Sequence, residues 1–466
     1  MKTKKITLLM LVAALGWSLN VSAKDIYANS TSGDDTKDGS TAENAVQTIT
    51  QAYTLATDGD VIHLNGTFTF EEQPLSVEKA LTILSDGGKA VLDGTNNSQI
   101  LILKASVTLK NLKITKGYSG DQGGAINIPL GLDRDVKIQD CLFIGNNTDG
   151  RAGAIWAQTY GNADKLTIER CAFISNTSLS HGGAIAYIAE GGSTNHAVLT
   201  INNTTFAQNT NAAGGGATLF VDGGATGYAT FNFNNITLSG NTGGDNGGNC
   251  PGIRFIGKDM TVNIKNSIIE GNTASDGLFY DISFTDNPTA LSIINSIVGY
   301  VVNNGAVVDA SSFTVVGSDV NDMHEADTES VAGLGELTTG YYFPLTSASK
   351  AFDYGRMQNI TSDLYVDQIG NLRSSDSRCS AGAVEFFSFT PNGISEQKID
   401  NLKLSTVKNA ISIEVPTARV KVYNLLGKLI NDSKVIGSKI VSVAAGVYIV
   451  NIESNTKVIN QKVVVR

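Results

Sequence analysis

The chain has 466 residues, of which 41% are hydrophobic, 17% are charged and 49 are glycine, and its formal net charge is −10. This composition excludes a largely disordered chain, and the length suits two or three domains. The negative charge argues against nucleic-acid and polybasic membrane contacts, because both need clustered Lys and Arg.

Residues 1–23 are predicted to be a secretory signal peptide. Three lysines lie among the first five residues, and the apolar run 6–17 that follows is too short to span a bilayer comfortably. Small residues at 21–23 provide a cleavage site, so we expect the mature chain to begin at Lys24. The protein is therefore expected to be exported.

Residues 24–64 are predicted to form an N-terminal cap. Apolar residues recur at roughly helical spacing within 43–57, which predicts a short helix covering the first strands of the following domain. The acidic loop 34–39 is a weak candidate for calcium, but it lacks the full calcium-loop spacing and is better explained as a solvated turn. We expect no other cofactor and no metal site.

A repeat of about 30 residues dominates the middle of the chain. Each unit contains an inward apolar residue, another one two residues later, and a polar turn residue two residues after that. Three residues beyond the turn lies an apolar residue that belongs to a second inward column. The first positions are Val107, Val136, Leu166, Leu199, Phe231, Val262 and Leu291; the turn residues are Asn111, Asp140, Arg170, Asn203, Asn235, Asn266 and Asn295. The second column is Ile114, Phe143, Phe173, Phe206, Leu238, Ile269 and Val298.

The period predicts the fold class. Alternation with a period of two indicates strands, and a 30-residue unit of short strands is too short for a propeller blade and lacks helical periodicity. We therefore predict an all-β protein: a right-handed parallel β-helix over 65–387, of the pectate-lyase-like kind, followed by a small Ig-like β-sandwich. Asn146, Asn176, Asn209, Asn241 and Asn272 should stack in one column, and Gly124, Gly153, Gly183 and Gly216 in another.

The repeat resembles that of a known family. The segments 123–126, 152–155, 182–185 and 215–218 read Gly-Gly-Ala-Ile or close variants, and 143–146, 173–176 and 206–209 read Phe-x-x-Asn. Both motifs are similar to the repeats of polymorphic outer-membrane proteins, which are β-helical adhesins. The resemblance covers about 107–275 and implies the fold more strongly than the function, because enzymes also use this architecture.

The four cysteines fit no zinc spacing. Cys141 and Cys171 lie one repeat apart in an inward column, so adjacent coils should bring their Cα atoms to about 4.8 Å, within disulfide range. A disulfide and a reduced pair that packs as small core hydrophobes both remain open.

The segment 340–386 resembles the closing segment of bacterial β-helix proteins described by a choice-of-anchor domain. Its matching motifs are 345–349, 353–355, 367–373 and 381–385, although Ala381 replaces the usual Asp. We expect these residues to cap the solenoid. Residues 388–400 are polar and are predicted to be a linker.

Residues 401–466 carry about seven predicted short strands. The motifs 420–428, 445–450 and 462–466 closely resemble the type IX secretion sorting domain of Bacteroidetes-type bacteria. The resemblance implies recognition by type IX secretion machinery, removal of the tail by a sortase-like peptidase, and attachment to surface lipopolysaccharide. It places the protein at the cell surface or outside the cell.

No convincing catalytic set is present in the sequence. Stacking of the repeats should bring together one polar set that suits a ligand: Asp121, Gln122, Asp149, Arg151 and His181. A solvated edge of the solenoid is the simpler explanation of these residues, and the nearby Tyr118, Trp156, Tyr160 and Tyr187 could stack on sugars or pack in turns. Two functions remain open: a non-catalytic adhesin or glycan-binding protein, and a secreted polysaccharide lyase or glycoside hydrolase.

Overall fold

A computed structural model describes most of the chain after the predicted signal peptide; residues 1–22 of that peptide and the predicted linker 388–400 lie outside the described residues. The described ranges are 23–131, 133–159, 164–190, 196–212, 217–224, 228–243, 250–258, 260–275, 277, 280–286, 290–303, 306–307, 314–316, 319–320, 332–361, 364–373, 377–386, 402–407, 409–424, 429–444, 446–454 and 457–465. The chain divides into two compact units, 1–386 and 387–466. Among the described residues, no helix has the length and apolar character needed to cross a membrane.

The first unit is a parallel β-helix, as the repeat predicts. Each coil supplies one strand to each of three long sheets, and equivalent residues pair from coil to coil. Within the described residues, the first sheet has eleven strands: Asp25–Asn29, Val61–Asn65, Leu81–Leu84, Val107–Lys110, Asp135–Gln139, Lys165–Glu169, Val198–Asn202, Ala229–Asn234, Met260–Lys265, Ala290–Ile294 and Thr314–Val316.

The second and third sheets complete the coils. The second contains Thr67–Thr69, Ala90–Asp93, Leu112–Thr115, Leu142–Ile144, Ala172–Ile174, Thr205–Ala207, Thr237–Ser239, Ile268–Glu270, Ile297–Val298 and Asp319–Val320. The third contains Leu75–Val77, Leu101–Leu103, Ile126–Ile128, Ile155–Thr159, Ile185–Ala189, Leu219–Asp222, Ile253–Ile256, Ile282–Phe284, Val301–Asn303 and Ala306–Val307, the last of these antiparallel. A short fourth sheet joins Tyr118–Ser119, Asn147–Thr148, Thr177–Ser178, Thr210–Asn211 and Thr242–Gly243.

The predicted columns are confirmed. The inward apolar residues form one continuous core, in which Phe143 stacks on Phe173 with ring centroids 4.5 Å apart and Phe173 stacks on Phe206 at 4.9 Å. The predicted turn residues, from Asn111 to Asn295, all have left-handed backbone conformations with φ between 47° and 56°. Asn and Asp tolerate this conformation best, which explains their frequency at this corner.

The asparagine column forms a buried ladder. In each step, the side-chain oxygen of one Asn accepts from both the backbone and the side-chain nitrogen of the preceding Asn; for Asn209 the donors are Asn176 N at 3.0 Å and Nδ2 at 2.9 Å. The ladder satisfies polar groups that the coil turns would otherwise leave buried without a partner.

Of the predicted glycine column, Gly124, Gly153 and Gly183 stack because the backbone approaches closely and not because the turn is strained, and Gly216 lies outside the described residues. A Cβ on Gly124 would lie 2.3 Å from the carbonyl oxygens of Asn147 and Gly153, so glycine is needed there for close backbone approach. The left-handed turn residues are instead the preceding ones, Gly123, Ala152 and Gly182.

The N-terminal helix is shorter than the sequence pattern suggests. It spans Ile49–Leu55, because Thr48 caps it by accepting from Gln51 N at 3.1 Å, and Asp35 in turn accepts from the Thr48 hydroxyl at 2.9 Å. The carboxylates of the acidic loop accept from backbone N–H groups, including Asp34 from Thr36 at 2.9 Å, in agreement with a turn.

The C-terminal segment was expected to cap the solenoid, but it packs against the side of the solenoid instead. The described part of 332–386, which we call the strap, runs back along the side of the solenoid. Strap residues Leu337, Tyr341 and Phe343 pack on apolar side chains outside the second sheet, and Asn203 Nδ2 donates to Val366 O at 3.0 Å. The strap contains the strand pair Gly355–Arg356 and Arg378–Cys379 and a 3-10 turn at Met357–Asn359.

The second unit is antiparallel. Its described strands are Lys403–Val407, Ala410–Asn424, Leu429–Ser442, Gly446–Ser454 and Lys457–Val465, which form one sheet around a separate apolar core. The sequence predicts about seven strands, but 410–415 and 420–424 belong to one strand. The register shifts between Val415 and Thr417, so pairing continues past Pro416 through a bulge.

Candidate functional site

The five predicted site residues lie at one corner of the solenoid, between the short fourth sheet and the third sheet. Gln122 and Arg151 form a parallel bridge, Arg151 N donates to Asp121 O at 2.7 Å, and Ala152 N donates to His181 O at 2.7 Å. Three successive coils therefore present Gln122, Arg151 and His181 as neighbours. We call Asp121, Gln122, Asp149, Arg151 and His181 the polar edge.

Arg151 is the exposed cation of the polar edge. Its guanidinium carbon lies 5.6 Å from the ring centroid of Trp156, an outward-facing residue that is 2% exposed. Contact with an aromatic face orients a guanidinium while leaving N–H groups free to donate to a ligand. This arrangement provides a positioned donor on a rigid scaffold.

His181 departs from the expectation of a solvated side chain. Its ring packs edge-on against Phe220 at 4.3 Å, and its Nδ1 lies 2.6 Å from Ser180 Oγ. Burial, together with the positive charges of Arg151 and Arg254, lowers the pKa of His181 to about 4. The imidazole is therefore neutral near pH 7, so it stabilises the edge and offers no charge to a ligand.

The carboxylates of the polar edge differ in their partners. Asp149 Oδ2 accepts from the Tyr118 hydroxyl at 2.6 Å, and this hydrogen bond raises the pKa of the Tyr118 phenol. Asp121 is exposed, and its backbone N–H donates to Ser119 Oγ at 3.2 Å. Asp149 lies two residues before Arg151 in the chain, Asp121 lies on the preceding coil where its carbonyl accepts from Arg151 N, and both aspartates are exposed.

The four aromatic residues predicted near the polar edge differ in their positions. Tyr187 points into the solenoid, is fully buried and packs edge-on against Phe231, so it cannot meet an external ligand. Trp156 belongs to an outer apolar cluster, Tyr118 is half-buried, and Tyr160 lies outside the described residues.

Phe220, which packs against His181, was not among the site residues predicted from the sequence. Phe220 occupies the outward position of the third sheet, in the row that pairs Trp156 with Ala186 and Ala186 with Phe220. All three residues are less than 5% exposed. The detectable signal was an apolar residue at an outward position in three successive repeats.

A second polar cluster, which was not predicted from the sequence, lies at the N-terminal end of the solenoid. His63 Nδ1 lies 2.6 Å from Asp86 Oδ2, its Nε2 lies 2.9 Å from Asp25 Oδ1, and its ring stacks on Tyr27 at 4.6 Å. Of these residues, Tyr27, His63 and Asp86 border a cleft of about 290 Å³. Carboxylates engage both imidazole nitrogens, so the ring belongs to a hydrogen-bond network and is not free to act as an acid or base.

In the part of the chain that the structure describes, no three His, Cys, Asp or Glu side chains form a group that could hold a metal ion. The polar edge instead combines a guanidinium, an amide and two carboxylates. These groups can donate to and accept from the hydroxyls of a polar ligand.

Cys141 and Cys171 lie on adjacent coils, as their spacing predicts. Both are fully buried free thiols, and Cys141 N donates to Cys171 Sγ at 3.4 Å. Burial raises the pKa of the Cys171 thiol. Of the two alternatives, the structure contains the reduced pair.

Comparison with known proteins identifies the tail. Residues 400–466 match the family model described as a secretion system C-terminal sorting domain. No curated protein matches the chain. The match marks proteins that leave the cell through the type IX system, so the chain is secreted to the cell surface or the extracellular space.

Proposed function

We propose that this protein, which the type IX system exports through its sorting tail, acts outside the cell as a non-catalytic glycan-binding protein or adhesin, with the polar edge as its binding surface. The observation that carries the proposal is the exposed Arg151 guanidinium, which lies 5.6 Å from the Trp156 ring on an edge that also carries the exposed Asp121 and Asp149. Hydroxyl-rich ligands are recognised by such positioned planar donors and acceptors on a rigid scaffold.

A glycan array with the purified full chain tests this proposal. We expect Arg151→Ala to lower the affinity for the bound glycans at least tenfold, and Arg151→Lys to restore it only in part, because lysine lacks the guanidinium fork. Lys137→Ala is the matched control, since Lys137 is an exposed cation on the first sheet. Unchanged affinity in Arg151→Ala would place the site elsewhere.

Two further measurements separate binding from catalysis and from stability. Release of reducing or unsaturated sugar ends from the same glycans would assign the protein to the lyase or hydrolase class instead. His181 stays neutral above its pKa of about 4, so binding should be flat between pH 6 and 8. A fall in affinity across that range would contradict the assigned role of His181.

We also propose that the tail is removed by a sortase-like peptidase and that the remaining chain is attached to surface lipopolysaccharide. The support is the tail's resemblance to sorting domains. Deletion of 401–466 should leave the solenoid folded but retained in the periplasm. Intact mass analysis of the surface form would contradict tail removal if residues 401–466 were still present.

A further inference from the structure

A continuous groove runs along the outer surface of the solenoid near its N-terminal end. The cleft that Tyr27, His63 and Asp86 border meets a second cleft of about 460 Å³ at Asp86, which lines both. The second cleft lies between the solenoid and the tip of the strap, and its lining includes Lys110 and Ile369. We call the two clefts together the strap groove. The larger cleft alone falls in the size range of small-ligand sites, roughly 300–1,000 Å³.

The strand register aligns the residues along the groove. Tyr27 pairs with His63, and His63 pairs with Leu84. Leu84 pairs in turn with Lys110, so four neighbouring strands present an aromatic ring, an imidazole, an apolar side chain and an ammonium group in one row. At about 4.8 Å per strand, the row is about 14 Å long. The groove therefore has the length for an extended ligand that lies along the solenoid axis.

Hydrogen bonds within the chain fix both walls of the strap groove. On the solenoid side, Asn111 Nδ2 donates to Gly87 O at 2.9 Å, and Lys89 Nζ donates to Asn111 Oδ1 at 3.1 Å. On the strap side, Asp367 Oδ1 accepts from Ile369 N at 3.0 Å. The walls are therefore preorganised, which lowers the entropy that binding must cost.

Three exposed side chains of the groove remain available to a ligand. Lys110 forms no hydrogen bond or ion pair with a residue that the structure describes. Asp86 Oδ2 lies 2.6 Å from His63 Nδ1, whereas Asp86 Oδ1 has no partner among the described residues. Ile369 is 42% exposed and adds an apolar surface at the rim. The groove thus offers a donor, an acceptor and an apolar face.

The charges of the groove discriminate between classes of ligand. Two carboxylates and two ammonium groups line the larger cleft, so its formal charge is zero: Asp86, Asp140, Lys89 and Lys110. Arg170 pairs with Asp140 and also with Glu169, so the neighbouring ion pairs leave this balance unchanged. Asp86 would repel an anionic ligand and Lys110 a cationic one, whereas the hydroxyls of a neutral sugar both donate and accept.

We infer that the strap groove binds a neutral oligosaccharide and is a second ligand site, distinct from the polar edge. Asp86 accepts from the sugar hydroxyls, Lys110 donates to them, and Ile369 packs on the apolar face of a sugar ring. The second polar cluster then has a role. His63 Nε2 lies 2.9 Å from Asp25 Oδ1, so the ring is fixed from both sides and orients the Asp86 carboxylate.

The two sites occupy different corners of the solenoid. The polar edge lies between the fourth and third sheets, whereas the turn residues Asn111 and Asp140 of the groove lie between the first and second sheets. The inference therefore goes beyond the proposed function, and either site can fail without the other.

Titration calorimetry of the full chain tests the inference. The probes are gluco-, galacto- and manno-oligosaccharides, each beside its uronate counterpart, and the parent protein is Arg151→Ala, in which the polar edge is disabled. We expect at least one neutral oligosaccharide to bind, and its uronate form to bind at least tenfold more weakly. Adding Lys110→Ala should weaken neutral binding at least tenfold without changing the melting temperature, because Lys110 has no partner to lose. Lys137→Ala removes another exposed lysine of the first sheet and should bind like the parent.

Three outcomes would overturn the inference. The first is that no neutral oligosaccharide binds the Arg151→Ala protein, although the wild type binds glycans; the polar edge would then be the site that binds. The second is equal affinity with and without Lys110→Ala. The third is tighter binding of the uronate forms. If wild type and Arg151→Ala bind the same oligosaccharides equally and both depend on Lys110, the groove is supported and the proposed role of the polar edge is wrong.

Discussion

Asp281 receives the last hydrogen bonds of the buried asparagine ladder: its Oδ1 accepts from Asn272 Nδ2 at 2.7 Å and from Asn272 N at 3.1 Å. Its Oδ2 accepts from Tyr300 N at 3.0 Å. Each Asn in the ladder both donates and accepts, so the last member needs a neighbour that accepts. A carboxyl group can end the ladder because both of its oxygens accept, whereas an amide at this position would place its own N–H against the N–H of Tyr300.

Asp281 should make stability depend on pH. Burial raises its pKa to about 7, above the ordinary value of 3.8. The folded state then binds the proton more tightly than the unfolded state does. The resulting contribution of Asp281 to the free energy of unfolding is full below pH 4 and is lost as the pH rises through 7, by on the order of 2–4 kcal/mol. Urea unfolding at pH 4.5 and 7.5 should show a smaller difference for Asp281→Asn than for the wild type.

The matched control for this titration is Asp121→Asn, because Asp121 is exposed in the same solenoid. Its pH dependence should equal that of the wild type. An unchanged pH dependence in Asp281→Asn would mean that Asp281 stays ionised in the folded state, held by its three N–H donors.

Removing one rung of the ladder should be costly. Asn209→Ala leaves Asn176 N and Nδ2 without their acceptor, and it removes the donor that Phe173 O receives at 2.8 Å. Buried unsatisfied groups cost about 1–3 kcal/mol each, so we expect a loss of roughly 3–5 kcal/mol in chemical denaturation. Asn263→Ala removes a half-buried amide from the outer face and should cost less than about 1 kcal/mol. Equal losses would contradict a special role for the inner ladder.

The strap should depend on Arg373. This buried guanidinium donates to Asn203 Oδ1 at 2.7 Å and to Gly382 O at 2.8 Å, and it lies 3.3 Å from Glu385. Arg373→Ala leaves the buried Glu385 carboxylate without its ion-pair partner, a change that typically costs about 3–5 kcal/mol. We expect limited proteolysis to cleave Arg373→Ala within 332–386 under conditions in which Arg378→Ala, an exposed control, stays intact.

The state of the cysteine pair can be measured directly. Cys141 and Cys171 are fully buried, so folded protein from the cell surface should not react with iodoacetamide at either residue. After unfolding without reductant, peptide mass spectrometry should find both alkylated if they are thiols. Protection of both residues until reductant is added would show that they form a disulfide in the exported protein.

The sequence by itself determined the solenoid. The inward columns, the left-handed turn residues and the asparagine ladder each correspond to a residue type that recurs about every 30 residues. Local conformational preference and the burial of one strand face determine where these residues lie. The backbone stacking of Gln122, Arg151 and His181 followed from the same register. The sorting tail was evident for the same reason, because its motifs are local.

Tertiary structure decided the features that join residues distant in sequence. The strap lies along the solenoid rather than over its end because Arg373 reaches Asn203, 170 residues away, and no local pattern encodes that contact. The burial of His181 depends on Phe220 from the next coil, and the end of the ladder depends on Asp281, which lies outside the repeat column. Periodicity specifies what each coil must bury, whereas the partner of each remaining polar group depends on which distant segment packs against it.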